Sequence, residues 1–101
     1  MAKWADYCIF AVHFNPAHTH IDRVRLYPDK GDSLGSQQET DRANIVSEIK
    51  AGRTFVTIFK NSDGNWRKGE SVFIVKINGT EYIKTVPDNT TRDNLDKLPE
   101  Y

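Results

Sequence analysis

The dipeptide Asn78-Gly79 most constrains the fold, because it separates two short runs of alternating apolar residues. Asn-Gly readily adopts the positive φ angles of a tight primed turn, so it predicts a β-hairpin with a two-residue loop. Such a turn also sets the register of its strands. The predicted cross-strand pairs are Ile77 with Thr80, Lys76 with Glu81, Val75 with Tyr82, Ile74 with Ile83 and Phe73 with Lys84.

The two faces of this hairpin differ in composition. Successive side chains of a strand point to opposite faces, so Val75 and Tyr82 share one face while Ile74 and Ile83 share the other. We expect the first face to pack on the core. The second face, with Ile74 and Ile83, is then predicted to lie on the outside of the sheet.

Four further strands and one helix are predicted upstream of the hairpin. Residues 6–14 are apolar in both alternating sets, which is typical of a central strand covered on both faces. Residues 21–27, 54–60 and 66–72 also read as strands. The helix contains Ile45, Val46 and Ile49 on one side, begins at Ser36 or Thr40 and ends before Gly52.

The end of the chain is predicted to close over this sheet. Pro87 stops the last strand, and Thr90 with Asp93 resembles the capping pair of a short helical turn. Leu95 and Leu98 then share one face and are expected to dock on the core. The predicted fold is a single α+β domain over residues 1–101, with a curved, mostly antiparallel sheet of five or six strands, one packed helix and a short C-terminal helical turn.

Charge and composition exclude several classes of protein. Fourteen basic and fourteen acidic side chains cancel, whereas a dedicated duplex-binding protein usually has a clearly basic balance. No apolar run approaches the roughly 20 residues of a membrane span, and no secretion signal is recognisable. A single cysteine excludes an internal disulfide. We therefore expect a soluble cytoplasmic protein that does not bind membranes.

Catalytic motifs are weak in this sequence. Residues 31–34 spell Gly-Asp-Ser-Leu, as in one esterase family, but no histidine follows His20 to serve as the base. The same loop could bind an anion at a helix start, although it lacks the ending of a phosphate-binding loop. Cys8 and His13 differ in strand parity, so we expect Cys8 to be a core thiol.

Metal binding is also weakly supported. His13, His18 and His20 lie close in sequence, and a three-nitrogen site is geometrically accessible, but their spacing is not a strong signature. A solvated loop whose histidines merely titrate is the favoured interpretation. We expect no enzyme, no cofactor and no metal.

Aromatic and basic residues concentrate in residues 53–87, which hold six basic and three acidic side chains. Antiparallel sheets with such a mixture bind single-stranded nucleic acid by stacking bases on rings. The alternative is that Trp66 and Tyr82 belong to the core and the cations form its solvated rim. The candidate contacts are Trp66, Arg67, Lys68 and Tyr82, with Lys60 and Lys84 nearby.

The C-terminal part of the chain carries a recognisable pattern. Residues 82–85 read Tyr-Ile-Lys-Thr, and Pro87-Asp88, Asp93-Asn94-Leu95 and Leu98-Pro99 follow. This pattern resembles a family of small, mainly bacterial proteins known as domain of unknown function 3892. The resemblance implies no activity and no residue role. Asp93 and Asn94 are interpreted either as a structural latch or as ligand contacts on a rigid loop.

Two functions stay open from the sequence. The first is a non-catalytic binding or interaction module that contacts an unknown protein or a second copy of itself through the face of Ile74 and Ile83. The second is a binder of single-stranded nucleic acid through the aromatic and basic residues. Nucleic acid is the less favoured partner because the chain has no net positive charge.

Overall fold

The computed structural model describes residues 4–17, 20–31, 33–85, 95 and 98–101. Within them, five strands form one sheet in the order β3-β2-β1-β4-β5, and β6 and β7 form a separate two-stranded sheet. The α+β class and the mostly antiparallel sheet are confirmed, but the hairpin is not part of the larger sheet. The elements are β1 (Tyr7–Phe14), β2 (Ile21–Pro28), β3 (Gln38–Asp41), α1 (Arg42–Lys50), β4 (Phe55–Lys60), β5 (Trp66–Ser71), β6 (Phe73–Ile77) and β7 (Thr80–Lys84).

Strand β1 lies at the centre of the larger sheet, as its two apolar faces predict. It pairs with β2 in antiparallel orientation and with β4 in parallel orientation. The parallel pair was not predicted, because it joins strands that are separated by β2, β3 and α1. One parallel neighbour in an otherwise antiparallel sheet is a common arrangement in α+β folds.

A register shift in β1 changes the predicted alternation. It lies between Ile9 and Ala11, and after it Val12 packs in the same hydrophobic cluster as Ile9. Strict alternation had placed Val12 with Cys8 and Phe10, so that assignment is wrong. A bulge inserts one extra residue in a strand and reverses the parity of the residues that follow.

The start of α1 also differs from the prediction. Gln38–Asp41 is an edge strand rather than the first helical turn, and Asp41 caps the helix by accepting a bond from the Asn44 amide at 2.8 Å. The helix therefore begins later than either predicted cap. Its end is as predicted, since Gly52 follows with a φ of 98°.

The β6–β7 hairpin has the predicted register over all five pairs, with φ angles of 51° at Asn78 and 84° at Gly79. The predicted assignment of its faces is only partly right, because Tyr82 is buried as predicted but the opposite face of β7 is buried as well. Ile83 is fully buried in the cluster that contains Ile45 of α1. Glu81, on the same face, forms an ion pair with Lys50 of α1 at 2.8 Å. The expectation that Ile83 lies on an outer face is therefore wrong, because α1 covers that face.

Two hydrophobic clusters lie on the two sides of the larger sheet. The first joins Ile9, Ile45 and Ile83 with the C-terminal Leu95 and Leu98, so the predicted docking of both leucines is confirmed. The helical turn predicted from Thr90 lies outside the described residues. The second cluster contains Ala5, Cys8, Val56 and Ile58, with Trp4, Phe10, Tyr27, Leu34 and Trp66 packed around it.

The side of the larger sheet away from α1 is here called the open face. Tyr27 pairs with Cys8, Lys68 pairs with Ile58, and Trp66 pairs with Lys60, and such partners point to the same side. The open face thus consists of the second cluster and the side chains of Phe10, Tyr27, Lys60, Trp66 and Lys68.

Within the described residues, no helix is long and apolar enough to cross a membrane.

Candidate binding site

Trp66 is positioned by a closed turn between β4 and β5. The Asn61 side chain accepts bonds from the amides of Asp63 and Asn65, each at 3.0 Å, and the Asn61 amide donates to the Asn65 carbonyl at 2.9 Å. Gly64 takes a φ of 80° that suits glycine. Trp66 therefore begins β5 directly after a turn that its own hydrogen bonds rigidify.

Three aromatic rings meet on the open face. The rings of Phe10 and Tyr27 stack with centroids 4.7 Å apart, and Trp66 lies 5.7 Å from Phe10 and 5.8 Å from Tyr27. Lys60 places its ammonium group 5.1 Å from the centroid of Trp66, within the range of a cation–π contact. Trp66 is half-buried by these contacts, so part of its ring stays accessible.

Two clefts share Trp66 as a common wall. The first, the Trp4 cleft, has a volume of about 280 Å³ and is lined by Trp4, Asp29, Gly31, Ser33, Leu34, Asn65 and Trp66. The second, the Phe59 cleft, has a volume of about 300 Å³ and is lined by Phe10, Phe59, Lys60, Trp66 and Pro99. Both combine apolar rings with a few polar groups, which is the usual composition of ligand sites.

Asp29 is a buried residue that lines the Trp4 cleft. Its carboxylate accepts bonds from the backbone amides of Trp4 and Gly31, both at 2.8 Å. The Cys8 sulfur lies 3.8 Å from the same carboxylate. Burial raises the pKa of Cys8 to about 12, and the negative charge of Asp29 and its hydrogen bond act in the same direction. Cys8 is thus a neutral core thiol, as predicted.

We expect Cys8 to react with a thiol-specific disulfide reagent far more slowly in the native protein than in urea at mildly alkaline pH, because the thiolate is the reactive form. The folded pKa of about 12 exceeds the ordinary 9.0. The thiol therefore stabilises the fold fully below pH 9, and this contribution is lost as the pH rises from 9 to 12. The time course of reagent absorbance measures the rate. Equal rates in both states would contradict the assignment of Cys8 to the core.

The predicted contact residues do not all come together. Trp66 and Lys68 lie on the open face, whereas Arg67 pairs with Phe59 and points to the opposite side by strand alternation. Tyr82 belongs to the hairpin, is buried and stacks on His20 with ring centroids 5.5 Å apart. Asp93 and Asn94 lie outside the described residues. A single surface of Trp66, Arg67, Lys68 and Tyr82 is therefore not formed.

Lys84 also departs from its predicted role as a rim cation. It is fully buried, and its ammonium group lies 5.8 Å from the centroid of the Tyr82 ring. Lys84 follows Ile83 in β7 and therefore points to the opposite face, the face of Tyr82, which is buried as well. Lys84 thus adds no charge to the open face.

The other sequence motifs have ordinary surroundings. Ser33 of the Gly-Asp-Ser-Leu motif is exposed beside Trp66, while Asp32 lies outside the described residues. His13 packs against Tyr101 and His20 against Tyr82, while His18 also falls outside them. Within the described part of the chain, no group of three metal-ligating side chains is present. The predicted anion loop is separated from α1 by β3, and the Asp41 carboxylate occupies the helix start.

A third cleft lies beside α1 and is polar. It has a volume of about 490 Å³ and is lined by Arg23, Glu39, Thr40, Asp41 and Asn44. Its charged groups contact each other, since Arg23 donates to Glu39 at 2.9 Å and thereby lowers the pKa of Glu39. Asp41 is engaged as the helix cap. These internal pairs leave the Trp66 clefts as the better candidate site.

Sequence reasoning missed the four other aromatic residues of the site: Trp4, Phe10, Tyr27 and Phe59. They come from separate segments of the chain and share no local motif. The one available signal was the pairing of residues 6–14 with 21–27, from which the stacked pair of Phe10 and Tyr27 follows once the register is known.

These features define a small α+β protein with one sheet face closed by a helix and a hairpin and the other face aromatic and open. Residues 8–99 match the model of a family described as protein of unknown function, DUF3892, and the chain belongs to this family. The resemblance seen in its C-terminal residues is thereby confirmed. Comparisons with curated proteins and with solved structures give no match.

Proposed function

We propose that the chain is a non-catalytic binding module of the cytoplasm and that its contact surface is the open face around Trp66. The observation that carries this proposal is the pair of clefts that use Trp66 as their shared wall. Phe59, which alternation places on the other side of β4 from Lys60 and Trp66, lines the edge of one cleft and leaves 46% of its surface exposed. An exposed ring beside a concave apolar surface is typical of a contact site rather than of a core.

The surroundings of Ser33 support a binding role over a catalytic one. A serine nucleophile needs a base within hydrogen-bond reach. Ser33 and Asp29 line the Trp4 cleft, while the histidines His13 and His20 make their ring contacts with Tyr101 and Tyr82 instead. Asp29 binds backbone amides, and the exposed Ser33 can offer its hydroxyl to a ligand in the cleft.

The position of the cations argues against self-association through this face. A two-fold contact places the same patch of both copies together. Lys60 and Lys68 lie on the open face, so such a contact would bring the lysines of both copies into one interface. Like charges brought together in this way oppose association. A partner other than a second copy fits the surface better.

Mapping with small aromatic probes tests the site without assuming a particular ligand. Phenol, indole and benzamide are titrated separately into ¹⁵N-labelled protein, and amide shifts are followed by NMR. We expect the shifts to concentrate at Trp4, Asn65 and Trp66, because these residues line the Trp4 cleft.

Two aromatic-to-leucine variants make the comparison specific. Trp66→Leu should disperse the shifts, whereas Phe73→Leu, on the hairpin, should leave them in place. Shifts that centre on the polar cleft around Arg23 and Asn44, or that ignore Trp66→Leu, would show that the proposed surface is wrong.

A further inference from the structure

We infer that the open face binds single-stranded nucleic acid, with bases in the clefts beside Trp66 and phosphates on Lys60 and Lys68. This inference rests on the proposed binding function of the same face. The charge of the open face, the geometry of its rings and the shape of its clefts indicate this class of ligand.

The charge of the site calls for an anionic ligand. Lys60 and Lys68 are exposed on the open face, and neither forms an ion pair within the part of the chain that the structure describes. Other cations are engaged, since Arg23, Lys50 and Arg53 pair with Glu39, Glu81 and Glu48. Unpaired cations around an aromatic platform are the usual complement of a phosphate backbone.

The ring geometry calls for planar groups. Trp66 lines both the Trp4 cleft and the Phe59 cleft, so a planar group in either cleft can contact this residue. Successive bases of one strand supply such groups, and stacking on aromatic rings tolerates any base. Lys60, now near the Trp66 ring, has a flexible side chain that can turn to a phosphate when a base replaces it.

The clefts also select single strands over duplexes. A base must leave its stack to enter a concave site, and only an unpaired strand presents such bases without a large cost. Besides Asp29, whose carboxylate binds backbone amides, the Trp4 cleft is lined by Ser33 and Asn65, whose side chains are of the kind that bind base edges. A helical duplex would contact the lysines but leave both clefts empty.

An acidic peptide is the competing partner. Its carboxylates could form ion pairs with the two lysines, but they would not pack in the apolar clefts lined by Trp4, Trp66 and Phe59. The nucleic acid uses both the charges and the rings, so the structure favours it.

The test is a titration with a mixed-sequence oligonucleotide of about eight nucleotides, followed by tryptophan fluorescence at several salt concentrations. Binding through two phosphate contacts should give a slope of log K against log salt of about −1.4, at about −0.7 for each contact. DNA and RNA versions are both titrated. A duplex of the same sequence should bind more weakly.

Charge variants keep the fold and isolate the lysines. Lys68→Gln and Lys60→Gln should each lower the magnitude of the salt slope by about 0.7. Lys76→Gln is the matched control, since Lys76 is exposed on the separate hairpin, and it should change neither affinity nor slope. Trp66→Leu should weaken binding by about tenfold, the size expected for losing one stacked base.

Several results would overturn the inference. These are the absence of salt-dependent binding, equal effects of Lys68→Gln and Lys76→Gln, or complete displacement of the oligonucleotide by polyglutamate at equal charge. If phenol and indole still map to Trp66 while no oligonucleotide binds, the ligand class is wrong and the binding surface stands. If the small probes also fail to map there, the proposed function fails with it.

Discussion

Ile83→Ala is expected to lower the free energy of unfolding by about 2–5 kcal/mol, the range for truncating a buried aliphatic side chain. Ile83 is fully buried and packs in the cluster that contains Ile9, Ile45 and Leu95. Its removal leaves a cavity where the hairpin, the helix and the larger sheet meet. Urea unfolding followed by circular dichroism measures the change.

Ile74→Ala is the matched control for this prediction. Ile74 is the cross-strand partner of Ile83, belongs to the same residue type and is only half-buried. We expect Ile74→Ala to lower the free energy of unfolding by clearly less than Ile83→Ala, because a half-buried side chain has less buried apolar surface to lose. If both variants lose the same stability, or if Ile83→Ala unfolds like the native chain, the hairpin does not pack on α1 as described.

The hairpin shows what sequence determines locally. Asn78 and Gly79 have the dihedral angles of a primed turn, and this requirement alone sets five cross-strand pairs. Which face of the hairpin meets the core is a separate question. Both faces are apolar, and the choice depends on Ile45 and Lys50, which lie about thirty residues away in α1. Nothing near the turn encodes that contact.

Strand β1 shows a second limit. Its central position followed from apolar residues in both alternating sets, and the structure confirms it. The register shift after Ile9 was not visible, because a bulge has no composition of its own and here no glycine marks it. The bulge changes the predicted environment of Val12, which packs in the cluster on the helix side.

The candidate site was only partly predictable, because contacts between distant segments are not encoded near any one of its residues. Trp66 and Lys68 were found by composition, and alternation then separates them from Arg67, their neighbour in sequence. Trp4 and Phe59 reach the same pair of clefts from other segments. Tyr82 was grouped with Trp66 because the hairpin was assumed to extend the larger sheet, and the structure places it beside His20 instead.

Gly69→Ala is the second substitution with a large expected effect. A Cβ atom at this position would lie 2.3 Å from the Thr57 hydroxyl oxygen and 2.9 Å from the Thr57 carbonyl oxygen. Both distances are too short for packed atoms, so β4 and β5 would have to separate locally. Overpacking of this kind costs about 1–3 kcal/mol, and disturbing a hydrogen bond adds about 0.5–1.5 kcal/mol.

The hydrogen bonds at risk belong to a bulge. The register shifts between Val56 and Ile58, so two residues of β5 lie opposite Thr57. The Thr57 hydroxyl accepts a hydrogen bond from the Glu70 amide at 3.0 Å. The same hydroxyl donates a hydrogen bond to the Glu70 carbonyl oxygen at 3.4 Å. A hydroxyl thus replaces the regular ladder contact at this point, and only glycine leaves room for it.

Two controls separate the steric effect from a general weakening of β5. Ser71→Ala alters an exposed residue of the same strand and should change stability by less than about 0.5 kcal/mol. Adding Thr57→Ala to Gly69→Ala removes the contact at 2.3 Å but keeps the one to the carbonyl, so the pair should be less destabilising than the sum of the single changes.

The same substitution connects stability to the open face. The bulge sets the register that brings Lys68 opposite Ile58 and Trp66 opposite Lys60. If Gly69→Ala shifts β5 along β4, Trp66 leaves the wall between the two clefts, and probe binding there should weaken while the protein stays folded in the absence of urea. Strict additivity of Gly69→Ala with Thr57→Ala, or unchanged stability in the single variant, would mean that the close approach of Gly69 to Thr57 does not hold this register.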